Sequence, residues 1–79
     1  MSLGTMIART RLARGIEKQQ DLATLMGVSR STMNLWEKGH RIPDADQLRE
    51  ICRILHVSAD VLLERVPFQL GPMPKSETT

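Results

Sequence analysis

The chain has 79 residues, 41% of them apolar and 3% aromatic, with one cysteine and a net charge of +2. That length holds one domain with a small core, near the lower limit for folding without metals or disulfides. The lone thiol of Cys52 excludes an internal disulfide and suits a reducing cytoplasm, while no apolar run is long enough to span a bilayer and no signal-peptide core opens the chain.

Met1 and Ser2 with Leu3 read in part as a cloning remnant and are not weighed. The first helix is predicted over 3–14, where Leu3, Ile7 and Thr10 or Arg11 recur at helical spacing before Gly15 ends it. The second runs from Gln19 to Met26. Leu22 and Met26 lie four apart on one face, Leu25 widens that face, and Ala23 is small enough for a crossing helix to approach. Gly27 then supplies the left-handed residue that closes a helix.

Ser29 is placed to cap a third helix, Arg30 to Lys38, by accepting from an amide near Thr32, with Val28 and Met33 as the two ends of a hydrophobic staple. Met33 and Trp36 turn inward, so Arg30, Ser31, Asn34, Leu35 and Lys38 face outward. Gly39 stops the helix and Pro43 prevents its continuation. Asp44 or Ala45 opens a fourth helix whose core stripe is Leu48, Ile51, Cys52 and Leu55. Ser58 caps a short fifth helix through about Glu64, with Val57 and Leu62 as its staple. The folded domain is thus expected over 3–64, followed by a flexible tail over 65–79 that is rich in proline from Pro67 onward.

Counted from Gln19, apolar residues fall at positions four, eight, ten, fifteen and eighteen, and small ones at five and nine. This is the spacing of two helices crossing at a tight turn, the helix-turn-helix. A polar helix face is ordinarily no more than a solvated surface. Here the complete two-helix pattern makes the outer face of the third helix a candidate DNA-reading surface. Charge supports that side of the molecule: residues 1–43 carry seven basic against three acidic side chains, and residues 44–79 four against six. Arg30 offers a planar fork of donors matching guanine O6 and N7, Asn34 can pair with adenine N6 and N7, and Ser31 is a short permissive contact. His40, beside Lys38 and Arg41, can approach a phosphate.

From Leu3 to Leu63, about three quarters of the chain, the sequence resembles the phage repressor and Cro type of helix-turn-helix regulator, also called the xenobiotic-response-element family. The resemblance rests on LATLMGVSRSTMNLWEKG, the segment from Arg41 to Pro43, and LHVSADVLL from Leu55 to Leu63. It implies an all-α, five-helix, lambda-repressor-like domain that binds double-stranded DNA. It implies base readout by Arg30, Ser31, Asn34 and Leu35, and backbone contacts by Gln19, Thr32 and Lys38, with His40 and Arg41 beside them. It also implies an ion pair between Arg11 and Glu37. Three departures stand out. One extra residue separates Gly15 from Leu22, with Lys18 where a Ser or Thr commonly caps the second helix. Thr10 replaces a common core leucine. Leu35 is apolar where relatives present a polar reader, either to meet a thymine methyl or to cover the core edge.

One recognition helix gives a small footprint, so a homodimer is expected, reading a palindrome with half-sites about one turn apart. Its candidate surface is Val61, Leu63, Val66, Phe68 and Leu70. Cys52 sits in an apolar stripe and reads as a small hydrophobe. His40, His56 and one Cys do not make a zinc site, no cofactor is implied, and no catalytic constellation is visible. The leading expectation is a repressor, and the alternative is an antitoxin that binds operator DNA and a toxin protein. A restriction-system controller protein is similar in size and fold.

Overall fold

The computed structural model describes residues 2–71. It contains five α-helices in chain order: α1 (Leu3–Ala13), α2 (Gln19–Met26), α3 (Arg30–Lys38), α4 (Ala45–Leu55) and α5 (Ala59–Leu62), and no strand among the described residues. Four of the five start on a side chain that accepts from an otherwise unpaired amide of the first turn. Ser2 takes Thr5 N, Ser29 takes Thr32 N, Asp44 takes Gln47 N and Ser58 takes Val61 N. Asp44 and Gln47 complete a reciprocal capping box, which settles the start of α4 at Ala45. Ser2 therefore has a structural role that its reading as part of a remnant passed over.

Gly27 and Gly39 end α2 and α3 in the left-handed region at φ 75° and 82°. His56 does the same for α4 at φ 51°, a conformation a non-glycine residue adopts at some cost. Arg14, on the far side of the chain, compensates: its guanidinium donates to the carbonyl oxygens of Leu55 and His56 at 2.8 and 2.7 Å. The fifth helix stops at Leu62, two residues before its expected end, because Glu64 takes a positive φ of 60° and turns the chain out of the helix.

The core joins Met6 and Ile7 of α1, Leu22 and Ala23 of α2, Met33 and Trp36 of α3, Ile51 and Leu55 of α4, and Val57, Val61 and Leu62 around α5. In this arrangement α3 lies between α1 and α2, α4 backs α2, and α5 closes against α1 and α4. Of the expected staple pairs, Val57 and Leu62 both belong to this cluster, and Val28 packs against it beside its partner Met33. Leu25 does not: it is 56% exposed, because α2 turns Leu22, Ala23 and Met26 toward its neighbours and leaves Leu25 beyond the edge of that stripe. Thr10, in the place of a core leucine, is fully buried. Its hydroxyl is the buried side-chain polar group that lacks a hydrogen-bond partner among the described residues.

Gly4 lets α1 meet the end of α3. A Cβ built there would lie 2.1 Å from the carbonyl oxygen of Trp36 and 2.6 Å from that of Glu37. Beyond Glu64, Phe68 and Leu70 pack against the core, and the Arg9 guanidinium stacks on the Phe68 ring 3.6 Å from its centroid. The stretch 65–71 of the expected tail is thus seated on the body. The rest of that tail, 72–79, lies outside the described residues.

Candidate nucleic-acid interface

α3 has a buried side carrying Met33 and Trp36 and an outer side carrying the expected readers. Arg30 and Ser31 are exposed at its first turn, Asn34 and Leu35 are half-buried one turn later, and Lys38 is exposed at its end. Thr32 is half-buried, its hydroxyl engaged by that of Ser29 at 3.0 Å. Leu35 is not a member of the core. Its carbonyl oxygen accepts from the amides of His40 and Arg41, which holds these two exposed residues against the end of α3.

Behind this face lies a polar network that anchors α3 to α1 and α2. Arg11 Nε donates to Glu37 Oε2 at 2.9 Å and a terminal nitrogen donates to Oε1 at 3.3 Å, with the two side chains only 7% and 6% exposed. The remaining terminal nitrogen of Arg11 binds the carbonyl oxygens of Ile16 and Glu17 at 2.9 and 2.7 Å, fixing the loop into α2. Desolvating this pair is tolerable because every face of it is hydrogen-bonded. The ion pair expected between Arg11 and Glu37 is therefore present, in its buried form.

Gln19, at the first position of α2, joins the same network. Its Nε2 donates to Glu37 Oε1 at 3.0 Å and to Asn34 Oδ1 at 3.1 Å. Both amide hydrogens are thereby committed inside the protein. The first turn of α2 has no side-chain cap, since Lys18 makes no capping bond, and the Asp21 amide is taken by the Lys18 carbonyl oxygen at 3.1 Å. The network was only half visible in the sequence. The Arg11 to Glu37 pair follows from the family resemblance, whereas the link from Gln19 to Asn34 depends on how closely α2 crosses α3.

Charge divides across the molecule. On α4, Arg49 pairs with Asp46 and Arg53 with Glu50, and Arg65, just past α5, pairs with Asp60 of that helix. The Arg53 guanidinium bonds Glu50 closely enough to hold its carboxyl below the ordinary carboxylate range. Around α3, by contrast, Lys18, Arg30, Lys38 and Arg41 are exposed and have no ion-pair partner among the described residues. These cations lie on α3, just past its end and at the start of α2, where the exposed acids Glu17 and Asp21 likewise make no ion pair among the described residues. Cys52 lies away from this face in α4, where burial pushes its thiol above the ordinary value. The described residues hold no cluster of three His, Cys, Asp or Glu fit for a metal ion, and no helix long and apolar enough to cross a membrane.

Two helices crossing at Gly27, an exposed polar face on the second, and the order of all five elements match a known domain type. A model of the helix-turn-helix family matches residues 7–62. The chain belongs to the helix-turn-helix family. Among solved structures this helix-turn-helix protein is similar to the P22 c2 repressor protein, crystallised in complex with synthetic operator 9T in the presence of Tl+. The identity is 28%, the match covers 81% of this chain and 96% of the repressor chain, and the TM-score is 0.73. No curated protein sequence matches it. Family and fold together make this helix-turn-helix protein a DNA-binding transcriptional regulator of the phage repressor and Cro type, as its motifs implied.

Proposed function

We propose that the protein is a repressor that binds a palindromic operator as a homodimer, with α3 in the major groove of each half-site. The observation that carries this reading is the outer face of α3, where candidate readers Arg30, Ser31, Asn34 and Leu35 are ringed by exposed cations lacking ion-pair partners among the described residues. Cations neutralise phosphates without regard to sequence, while the residues between them meet base edges. Lys38, His40 and Arg41 flank the end of α3 and Thr32 its start, so they are assigned to the DNA backbone. With the Gln19 side chain engaged by Glu37 and Asn34, the phosphate role expected of Gln19 passes to its backbone at the start of α2. The similarity to a repressor solved on its operator supports the same target.

A single α3 covers too few base pairs for tight specific binding, and a two-fold pair of them spans half-sites ~34 Å apart. Of the expected surface, Leu63 and Val66, 45% and 37% exposed, are the exposed apolar residues available for a self-contact, and Leu70 is half-buried. Val61 is withdrawn from the expected dimer surface, since at 3% exposure it is part of the core, and Phe68 contributes only the part of its ring not covered by Arg9. Bound to operator DNA, the protein acts in the cytoplasm.

In-vitro selection from a random duplex pool at ~150 mM salt tests the reading, followed by titration of the winner against a scrambled duplex. The expected result is an enriched palindrome bound at least ~10³-fold more tightly than the scrambled control. Weak, salt-sensitive binding to all sequences with no enrichment overturns it and leaves the fold serving a protein partner, as in an antitoxin.

A further inference from the structure

The hydrogen bonds behind α3 constrain which atom Asn34 presents to a base. Glu37 is gripped through both oxygens by Arg11, so it accepts hydrogen bonds and has none to give. The Gln19 group meeting Glu37 Oε1 at 3.0 Å must then be the Nε2 donor, because the amide oxygen of Gln19 facing a carboxylate would set acceptor against acceptor. The second hydrogen on that nitrogen points at Asn34, 3.1 Å away, and only the Oδ1 end of Asn34 can receive it. Turning the Asn34 amide over would set two donors against each other. The amide orientation is therefore dictated by the Glu37 carboxylate two hydrogen bonds away, and with Oδ1 held by Gln19 the Nδ2 hydrogens are what Asn34 has left to offer a base.

We infer that Asn34 selects the keto-bearing bases, guanine or thymine, by donating from Nδ2, and that Gln19 is the positioning residue that imposes this choice. In the major groove guanine presents two acceptors, N7 and O6, and thymine the acceptor O4, whereas cytosine presents an amino donor and adenine sets its N6 amino donor beside the single acceptor N7, so Nδ2 donors meet an opposing donor on either of these bases. The two-bond pairing of Asn with adenine expected from sequence needs Oδ1 to accept from N6, and Oδ1 is turned toward Gln19. A residue type that ordinarily favours adenine is here converted to the opposite preference by its neighbours.

This inference rests on the DNA-reading function proposed above, and base selection with three proteins separates the two. The full-length protein, Asn34→Ala and Gln19→Ala are each taken through selection from a randomised duplex pool, with folding checked by circular dichroism. The operator position read by Asn34 is the one whose preference collapses in Asn34→Ala. Guanine or thymine is expected there for the unaltered protein. In Gln19→Ala the freed amide can turn over, and adenine at that position rises about tenfold relative to the unaltered protein while other positions keep their bases. Gln19→Met, similar in length and without hydrogen-bonding groups, carries the same expectation and replaces Gln19→Ala should the latter unfold. Adenine or cytosine selected by the unaltered protein, an unchanged profile in the folded Gln19 variant, or no position altered by Asn34→Ala overturns the inference alone. A folded, unaltered protein that enriches no sequence overturns the DNA-reading function and the inference together.

Discussion

Arg11 illustrates how one side chain can serve three elements: it holds Glu37 of α3 and the Ile16 and Glu17 carbonyls ahead of α2 while standing on α1. Removing one partner of so enclosed a pair leaves the other charged and buried, at a cost of about 3–5 kcal/mol. Glu37→Gln should therefore lower the urea midpoint substantially, and a midpoint near that of the unaltered protein would contradict the buried pairing. At the exposed end of the same helix the effects are on binding. Arg30→Ala should cost about 1–3 kcal/mol and relax preference at one base pair, whereas Lys38→Ala should weaken all sequences alike and flatten the salt dependence. Titrations against a panel of duplexes distinguish the two, and uniform loss for Arg30→Ala would reassign it to a phosphate. The outward positions of Arg30 and Lys38 could be picked out in sequence because they follow from the period of α3, whereas the Gln19 to Asn34 bond needs two helices in register.

Among the elements, α2 ends at its glycine and α3 begins at the Ser29 cap and ends at its glycine, as local sequence indicates, since capping depends on residues within one turn. α2 nevertheless starts on Lys18 without a capping side chain, which suits an anion-facing helix end and leaves stability unclaimed. Lys18→Ser should raise thermal stability by about 0.5–2 kcal/mol and lower affinity for any duplex, because a cap replaces a cation. Unchanged stability would mean that the chain geometry there cannot accept a cap. The approach of α1 to α3 at Gly4 is the opposite case, invisible in the local pattern because the carbonyls it contacts belong to Trp36 and Glu37. Gly4→Ala gains helix propensity and should still destabilise by about 1–3 kcal/mol through overpacking against rigid backbone. A denaturation midpoint equal to or above that of the unaltered protein would show that α1 can move aside.

The whole molecule separates paired from unpaired charge, with α4 and α5 carrying ion pairs and the α3 side carrying cations without ion-pair partners among the described residues. Under the proposed dimer, Leu63→Asp should leave monomer folding nearly intact, since Leu63 is 45% exposed, yet weaken binding to a two-half-site duplex far more than to a single half-site. Sedimentation at tens of micromolar should show the unaltered protein as a dimer and the variant as a monomer. Equal loss on both duplexes would point to the DNA face instead. Sequence by itself determined the helix-turn-helix, its inward and outward faces and the start of most helices, because periodicity, caps and turn glycines act over a few residues. Tertiary structure alone decided that Val61 is core, that Leu25 is not, that Phe68 lies under Arg9, and that the Asn34 amide is oriented from behind by Gln19 and Glu37. Each of those depends on atoms brought together from distant parts of the chain, where the packing angle of two helices, rather than any residue's own preference, sets what a side chain meets.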